Sequence, residues 1–230
     1  MWEIQHVTEP AKFSDRAIKA SWWLGTASLA FGLFIKITSE LLEHEVSGVD
    51  RTILVGVAKA RTPWLTMVAV DLTALGSVTL VVLISTIALC VLLLLKDRMG
   101  ALQLVAASVG AGMLTTTIKD YIDRARPEVV THLVEVSGLS YPSGHSVAAT
   151  SLYLTVTIVV SRHLQRTGHQ IAILAVTVGI ILLVGMTRIY LGVHYPSDVA
   201  SGISLGAAWA LLLAGCFSFF RDPKIARRGQ

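Results

Sequence analysis

Three short stretches of this chain hold side chains able to do acid–base and nucleophilic chemistry on an oxyanion: KDYIDRARP at 119–127, YPSGH at 141–145 and TRIYLGVHYPSD at 187–198. In the last of them His194 stands six residues after Arg188 and four before Asp198. Pro196 sets φ where a helix can begin, so Asp198 faces back toward the imidazole. A carboxylate on one ring nitrogen leaves the other free to attack. Lys119, Arg126 and Arg188 supply three fixed cations, and guanidinium forks match pairs of phosphate oxygens. YPSGH precedes an apolar run, which places Ser143 to cap a helix while the N–H groups of Gly144 and His145 point out of its N-terminus. Glycine at 144 also lets a ligand approach the backbone closely. This much positive potential points to a phosphate. Neutral His194 can then attack phosphorus, protonated His145 can give a proton to the departing oxygen, and water can complete the second step. No carboxylate cluster suited to Mg²⁺ or Zn²⁺ accompanies these residues, so the expected chemistry is phosphoryl transfer with no metal and no cofactor.

Taken singly, each feature has a plainer meaning. A lone histidine at a helix end usually packs or caps, Lys119 and Arg188 would pass for snorkelling anchors, and Pro142-Ser143-Gly144 for a simple cap. The elements that carry them decide between the two meanings. The chain has 230 residues, 53% of them hydrophobic, and a mean hydropathy of +0.67, which does not suit a soluble domain. Ser77–Leu95, Gly100–Ile118, Gln170–Thr187 and Val199–Phe220 contain no charged residue. Ser146–Ser161, extended through Pro142, and Ala20–Ile35 are shorter apolar runs. A hydrocarbon core of about 30 Å takes about 20 helical residues. The expectation is an all-α polytopic protein, a single membrane domain over 1–230 built as a six-transmembrane-helix bundle, since lipid requires backbone polar groups to be satisfied within each segment.

With the N-terminus inside, residues 1–19, 96–99, 162–169 and 221–230 fall on the cytoplasmic side and hold eleven Lys and Arg against five Asp and Glu, while the remainder holds eight against ten. That asymmetry follows the positive-inside rule. It puts Lys119, Arg126, His145, Arg188, His194 and Asp198 together on the opposite, extracytoplasmic face of a cytoplasmic membrane. The net charge of +4 therefore reflects topology, and no basic surface interleaved with aromatics suggests a nucleic-acid partner. The first span, led by Lys12, Arg16 and Lys19, is expected to be an uncleaved anchor. Cys90 and Cys216 lie within apolar spans and are expected to pack. Asp50–Ala60 should form an interfacial helix, with Ile53, Leu54, Val57 and Ala58 at helical spacing. Asp71 is expected to be a helix-end carboxylate with a local partner, Lys36 to snorkel, and His132 to be a solvated loop residue. Tyr121, Tyr141, Tyr190 and Tyr195 are read as an interfacial belt without a catalytic role.

The pieces K119-x₆-RP, YPSGH and R188-x₅-H-x₃-D resemble, in order and spacing, the signature of the type 2 phosphatidic acid phosphatase family, the lipid phosphate phosphatases. The phosphate pocket of that family resembles the one in vanadium haloperoxidases. The resemblance covers about residues 50 to 215 and implies that His194 is the nucleophile, Asp198 its orienting partner and His145 the general acid. It likewise implies that Lys119, Arg126, Ser143, Gly144 and Arg188 bind phosphate. One departure is Thr187, where the family usually has serine. The implied substrate is a phosphorylated membrane lipid, undecaprenyl diphosphate first, with phosphatidylglycerophosphate, lipid A or transfer to another lipid as alternatives. A lipid-phosphate transporter or binding protein is the non-enzymatic competitor, and the oligomeric state has no signal in the sequence.

Overall fold

The computed structural model describes residues 10–220, and every element among them is helical. Of the expected cytoplasmic segments, residues 1–9 of 1–19 and the whole of 221–230 lie outside the described residues, and 10–19 belong to the first helix. In chain order the helices are α1 (Pro10–Leu42), α2 (Ser47–Lys59), α3 (Pro63–Thr73), α4 (Val78–Leu94), α5 (Arg98–Ile122), α6 (Gly144–Ser161), α7 (Thr167–Tyr190) and α8 (Pro196–Phe220). Five of them, α1, α5, α6, α7 and α8, are long and apolar enough to cross a membrane. α4 has 17 residues, about 26 Å at 1.5 Å per residue, and falls short of the hydrocarbon thickness by itself. It is preceded by α3 across the 3₁₀ turn Ala74–Gly76, with a bend of 49°, and counted as one span the pair brings the candidate spans to six. The expected second span, Ser77–Leu95, is thus one arm of a bent helix pair. Ser77 marks the break: its backbone is extended and its hydroxyl accepts from Leu80 N, capping the new helix.

α1 runs well beyond the expected Ala20–Ile35. Its polar residues near the C-terminal end are satisfied within the helix, Thr38 and Ser39 donating to the carbonyls of Phe34 and Lys36, so the helix continues where the hydropathy stops. Lys36 reaches outward, exposed, toward Glu40 at i+4. α2 does more than rest at an interface, because Leu54 is fully buried against Ile189 of α7 and Val199 of α8.

α6 and α8 form the axis of the bundle, each with more than half of its spanning residues buried, against 17–28% for the other three full-length spans. Small residues make that contact close. A Cβ added at Gly202 would lie 2.8 Å from the Ser143 carbonyl oxygen, and one at Gly206 2.7 Å from that of Val147. This is the G-x-x-x-G solution to packing helices in lipid, where close backbone approach replaces the hydrophobic drive. α4 and α5, linked only by Leu95–Asp97, pack beside one another as the expected hairpin.

Some placements differ from expectation. Cys90 and Cys216 are exposed on the bundle's outer surface and do not pack within it, which costs nothing where the surroundings are lipid. Asp71 is exposed near the C-terminal end of α3 and makes no side-chain hydrogen bond or ion pair among the described residues.

Candidate active site

Helix polarity brings the chemistry together. The C-terminal ends of α5 and α7 and the N-terminal ends of α6 and α8 meet at one end of the bundle, delivering Lys119, Arg188, His145 and Asp198 in turn. The turn between α7 and α8 carries His194, and Gly192 makes that turn possible. Its φ is +80°, and a Cβ there would lie 2.6 Å from the Arg61 guanidinium and 3.0 Å from the Thr131 carbonyl oxygen. The connection from Asp123 to Ser143 folds over this end. It is pinned by Leu133 N donating to Leu191 O (3.0 Å) and Ser140 N to Arg124 O (2.8 Å).

His194 is 2% exposed and Asp198 is fully buried. Nδ1 of the imidazole is 3.4 Å from Asp198 Oδ2, and Nε2 is 3.3 Å from Arg126 Nη1. A guanidinium only donates, so Nε2 accepts and the proton sits on Nδ1, facing the carboxylate. The neutral ring therefore holds its free lone pair on the nitrogen that points into the cationic pocket. Burial, with Arg126 and Arg188 nearby, pushes His194 down from 6.5 to about 4 in spite of Asp198. The ring is thus uncharged at neutral pH.

Arg126 touches that nitrogen, Lys119 and Arg188 lie at the same end of the bundle, and among the described residues none of the three has a carboxylate partner. Lys119 donates to the Leu139 carbonyl. Arg126 donates to the carbonyls of Val193 (2.8 Å), Gly138 (2.9 Å) and Ser137 (3.0 Å), which fix its plane. Arg188, 4% exposed, bonds Thr73 Oγ1 at 2.9 Å, and its Nε is buried without a hydrogen-bond partner. A buried cation that retains an unfilled donor is costly unless an anion comes to it. The α6 N-terminus adds backbone donors to the same place. Ser143, however, does not cap α6 through its side chain as expected; fully buried, its Oγ accepts from Ser146 Oγ at 3.0 Å, and its backbone N–H donates to Asp198 O at 3.0 Å. A Cβ at Gly144 would meet only Thr115 Cγ2, at 3.5 Å, so protein packing does not demand glycine there. The His145 ring is part-buried and lies in the field of Arg188, His194 and Arg126. All eight residues expected at the site are brought to this end, and the arrangement suits a tetrahedral oxyanion in line with a neutral imidazole.

Three more polar residues belong to the same network. Arg124 donates to Asp198 Oδ1 (2.5 Å) and Asp50 Oδ2 (2.8 Å). Ser140 donates to Asp198 Oδ2. Asp50, 2% exposed on α2, accepts from the backbone N–H of Ser197 at 2.9 Å. Arg124 could have been suspected from its place two residues before Arg126. Asp50 reads in sequence only as a favourable charge at a helix start, and Ser140 has no sequence signal at all. The tyrosines divide: Tyr121 is exposed, as a belt residue would be, whereas Tyr141 and Tyr190 are buried and bonded to Thr38 (2.7 Å) and Thr66 (3.1 Å). Tyr195 lies under the Arg124 guanidinium at 4.1 Å. His132 is partly buried with Nε2 2.6 Å from the Pro127 carbonyl oxygen, an internal tie of the loop where a solvated residue was expected. Thr187 keeps its hydroxyl within its own helix, donating to Val184 O at 2.6 Å.

Comparison with known proteins places this geometry. Residues 100–222 match the PAP2 superfamily. Phosphatidylglycerophosphatase B of Bacillus subtilis is 32% identical over 202 residues, which cover 87% of this chain and 96% of that protein. Lipid A 1-phosphatase of Rhizobium johnstonii is 32% identical over 119 residues, 48% of this chain and 45% of that one. Among solved structures, the transmembrane PAP2-type phosphatidylglycerolphosphate phosphatase of Bacillus subtilis superposes with a TM-score of 0.78 at 28% identity, over 83% of this chain and 95% of that chain. The fold, the residues matched and the full-length relative agree: this chain belongs to the PAP2 superfamily and to its membrane-embedded bacterial branch of phosphatases.

Proposed function

We propose that this protein removes phosphate from a phosphorylated membrane lipid through a phosphohistidine on His194. The observation that carries the reading is the neutral His194, tautomer set by Asp198 and Arg126, at the end of the bundle that also carries Lys119 and Arg188, cations without carboxylate partners among the described residues. In the first step Nε2 attacks phosphorus and the ester or anhydride oxygen departs with a proton from His145. In the second, water attacks the phosphohistidine, its proton passes to His145, and inorganic phosphate leaves with Nε2 restored. Lys119, Arg126, Arg188 and the α6 N-terminus, with Ser143 and Gly144 at its start, hold the phosphoryl oxygens and stabilise the charge that spreads over them in the transition state. Water and the site's own groups complete the cycle without a metal or cofactor.

Phosphatidylglycerophosphate is the leading substrate, because a relative matching nearly its whole length is named for that activity. Undecaprenyl diphosphate is the second, supported by a charge asymmetry that favours the extracytoplasmic face of the cytoplasmic membrane for the site, the face on which the spent carrier lipid arises. Purified protein assayed side by side on phosphatidylglycerophosphate, undecaprenyl diphosphate, phosphatidic acid and lipid A, in excess EDTA, tests both. Phosphate release that His194→Ala abolishes supports catalysis, and the largest kcat/KM names the substrate. Binding of these lipids by the native protein without release would overturn the enzymatic reading in favour of a carrier.

A further inference from the structure

Two of the best-buried carboxylates in the molecule, Asp50 and Asp198, share one arginine that the phosphoryl chemistry does not use. Arg124 puts Nη1 on Asp198 Oδ1 at 2.5 Å and Nη2 on Asp50 Oδ2 at 2.8 Å, so its fork spans α8 and α2. Asp50 in turn clamps the start of α8, accepting from Ser197 N (2.9 Å) and from Ser197 Oγ (2.5 Å). Ser197 Oγ also accepts from Arg124 Nη1 at 2.8 Å, which closes a ring of hydrogen bonds around the residue that precedes Asp198. Tyr195 covers the guanidinium from the other side at 4.1 Å. On Asp198 the division is clean. Oδ1 is taken by Arg124, while Oδ2 accepts from Tyr195 N (2.8 Å), from Ser140 and from His194 Nδ1. Arg124 thus holds the oxygen turned away from the imidazole, while Tyr195 N and Ser140 hold the one that faces it.

We infer that Arg124 and Asp50 are positioning residues for the His194–Asp198 pair, an arginine bridge that ties the short helix α2 to the orientation and tautomer of the attacking imidazole. Arg124 differs in kind from Lys119, Arg126 and Arg188, which have no carboxylate partner among the described residues and are open to an anion. With both of its charged contacts satisfied by carboxylates, it has no claim on the substrate phosphate. The inference deepens the proposed phosphohistidine reading and rests on it for its kinetic part.

The test uses full-length protein in detergent. Arg124→Ala should lower kcat about 10²-fold, the scale of a misplaced reacting group, while leaving KM and the affinity for inorganic phosphate nearly unchanged. Arg124→Lys keeps the charge but loses the fork, and should show a smaller fall in kcat; it also guards against an Arg124→Ala protein that fails to fold. In the Asp198→Asn background Arg124→Ala should add little, since it acts through that carboxylate. A full multiplicative loss in the double variant, a parallel fall in phosphate affinity, or a wild-type kcat in Arg124→Ala would overturn the inference. ¹⁵N spectra of imidazole-labelled protein, with His194 assigned by difference against His194→Ala, read the ring without turnover. Nδ1 protonated in the native protein and a mixed tautomer in Arg124→Lys is expected, and the same tautomer in both would overturn it. This readout holds even if no lipid is hydrolysed, so failure of the bridge and failure of the phosphatase reading stay distinguishable.

Discussion

Nη1 of Arg126 lies 3.3 Å from Nε2 of His194, so a permanently charged donor occupies the side of the ring from which attack must come. The contact fixes the tautomer and resists protonation of the ring. In the proposed reaction it is exchanged for a phosphate oxygen when substrate binds, and the same guanidinium that guards the lone pair then holds the group it attacks.

The pH profile follows from this. The active form is neutral His194, whose proton affinity is lowered from 6.5 to about 4. The acid limb of kcat/KM should therefore fall near pH 4, well below the 6 to 7 of an ordinary histidine. The same shift acts on stability. Above pH 6.5 the contribution is complete. Between 6.5 and 4 the unfolded chain takes up a proton that the native state refuses, so stability declines as the pH drops through that window. Initial rates across pH 3.5–8, with thermal unfolding at each pH, check both, and an acid limb centred near 6.5 would contradict the geometry.

Arg188 holds an unfilled buried donor and should be sensitive to conservative change. Arg188→Lys is expected to cost about 10²-fold or more in kcat/KM, since the ammonium cannot reproduce two parallel donors to phosphate oxygens. Affinity for inorganic phosphate, measured by calorimetry, should drop with it, in contrast to the Arg124 variants.

Gly192→Ala should be among the more damaging single-methyl additions. It demands φ near +80° of an alanine and drives its Cβ toward the Arg61 guanidinium and the Thr131 carbonyl. A loss of about 1–3 kcal/mol from backbone strain alone is expected, with further cost from displacing Arg61, and kcat should fall because His194 is two residues away. Unfolding midpoints and rates on one preparation test this.

Gly206→Leu should separate α6 from α8 and reduce both thermal stability and turnover, while Gly112→Leu, at an exposed position of α5 with open space around it, should leave both near native. A Gly206→Leu protein as stable and active as native would mean that the α6–α8 contact does not set the height of His145 against Asp198.

Most of the candidate site was readable in the sequence because its members lie at span ends, where hydropathy breaks sharply and charged residues are conspicuous. Lys119, Arg188 and Asp198 were placed at one end by counting spans alone. The structure changes two kinds of inference. Where polar side chains satisfy themselves inside a helix, as Thr38 and Ser39 do, the helix outruns its apolar stretch. And where a residue acts through a long-range partner, as Asp50 does across 147 positions to Ser197, no local pattern reports it. The second span was found but not its break, because a 49° bend needs only one extended residue at Ser77.

The convergence of four helix termini on one end has a consequence for how such a chain can change over generations. The residues proposed to meet the phosphate occupy the last or first turns of α5, α6, α7 and α8, together with the loops between them. The remaining turns of each helix need supply only length, apolarity and small residues at the α6–α8 crossing. Outer surfaces such as those bearing Val82, Leu94, Val109 and Leu182 are free to drift toward whatever lipid mixture surrounds them. Adaptation to a new membrane and conservation of the reaction can thus proceed on separate residues of the same helix.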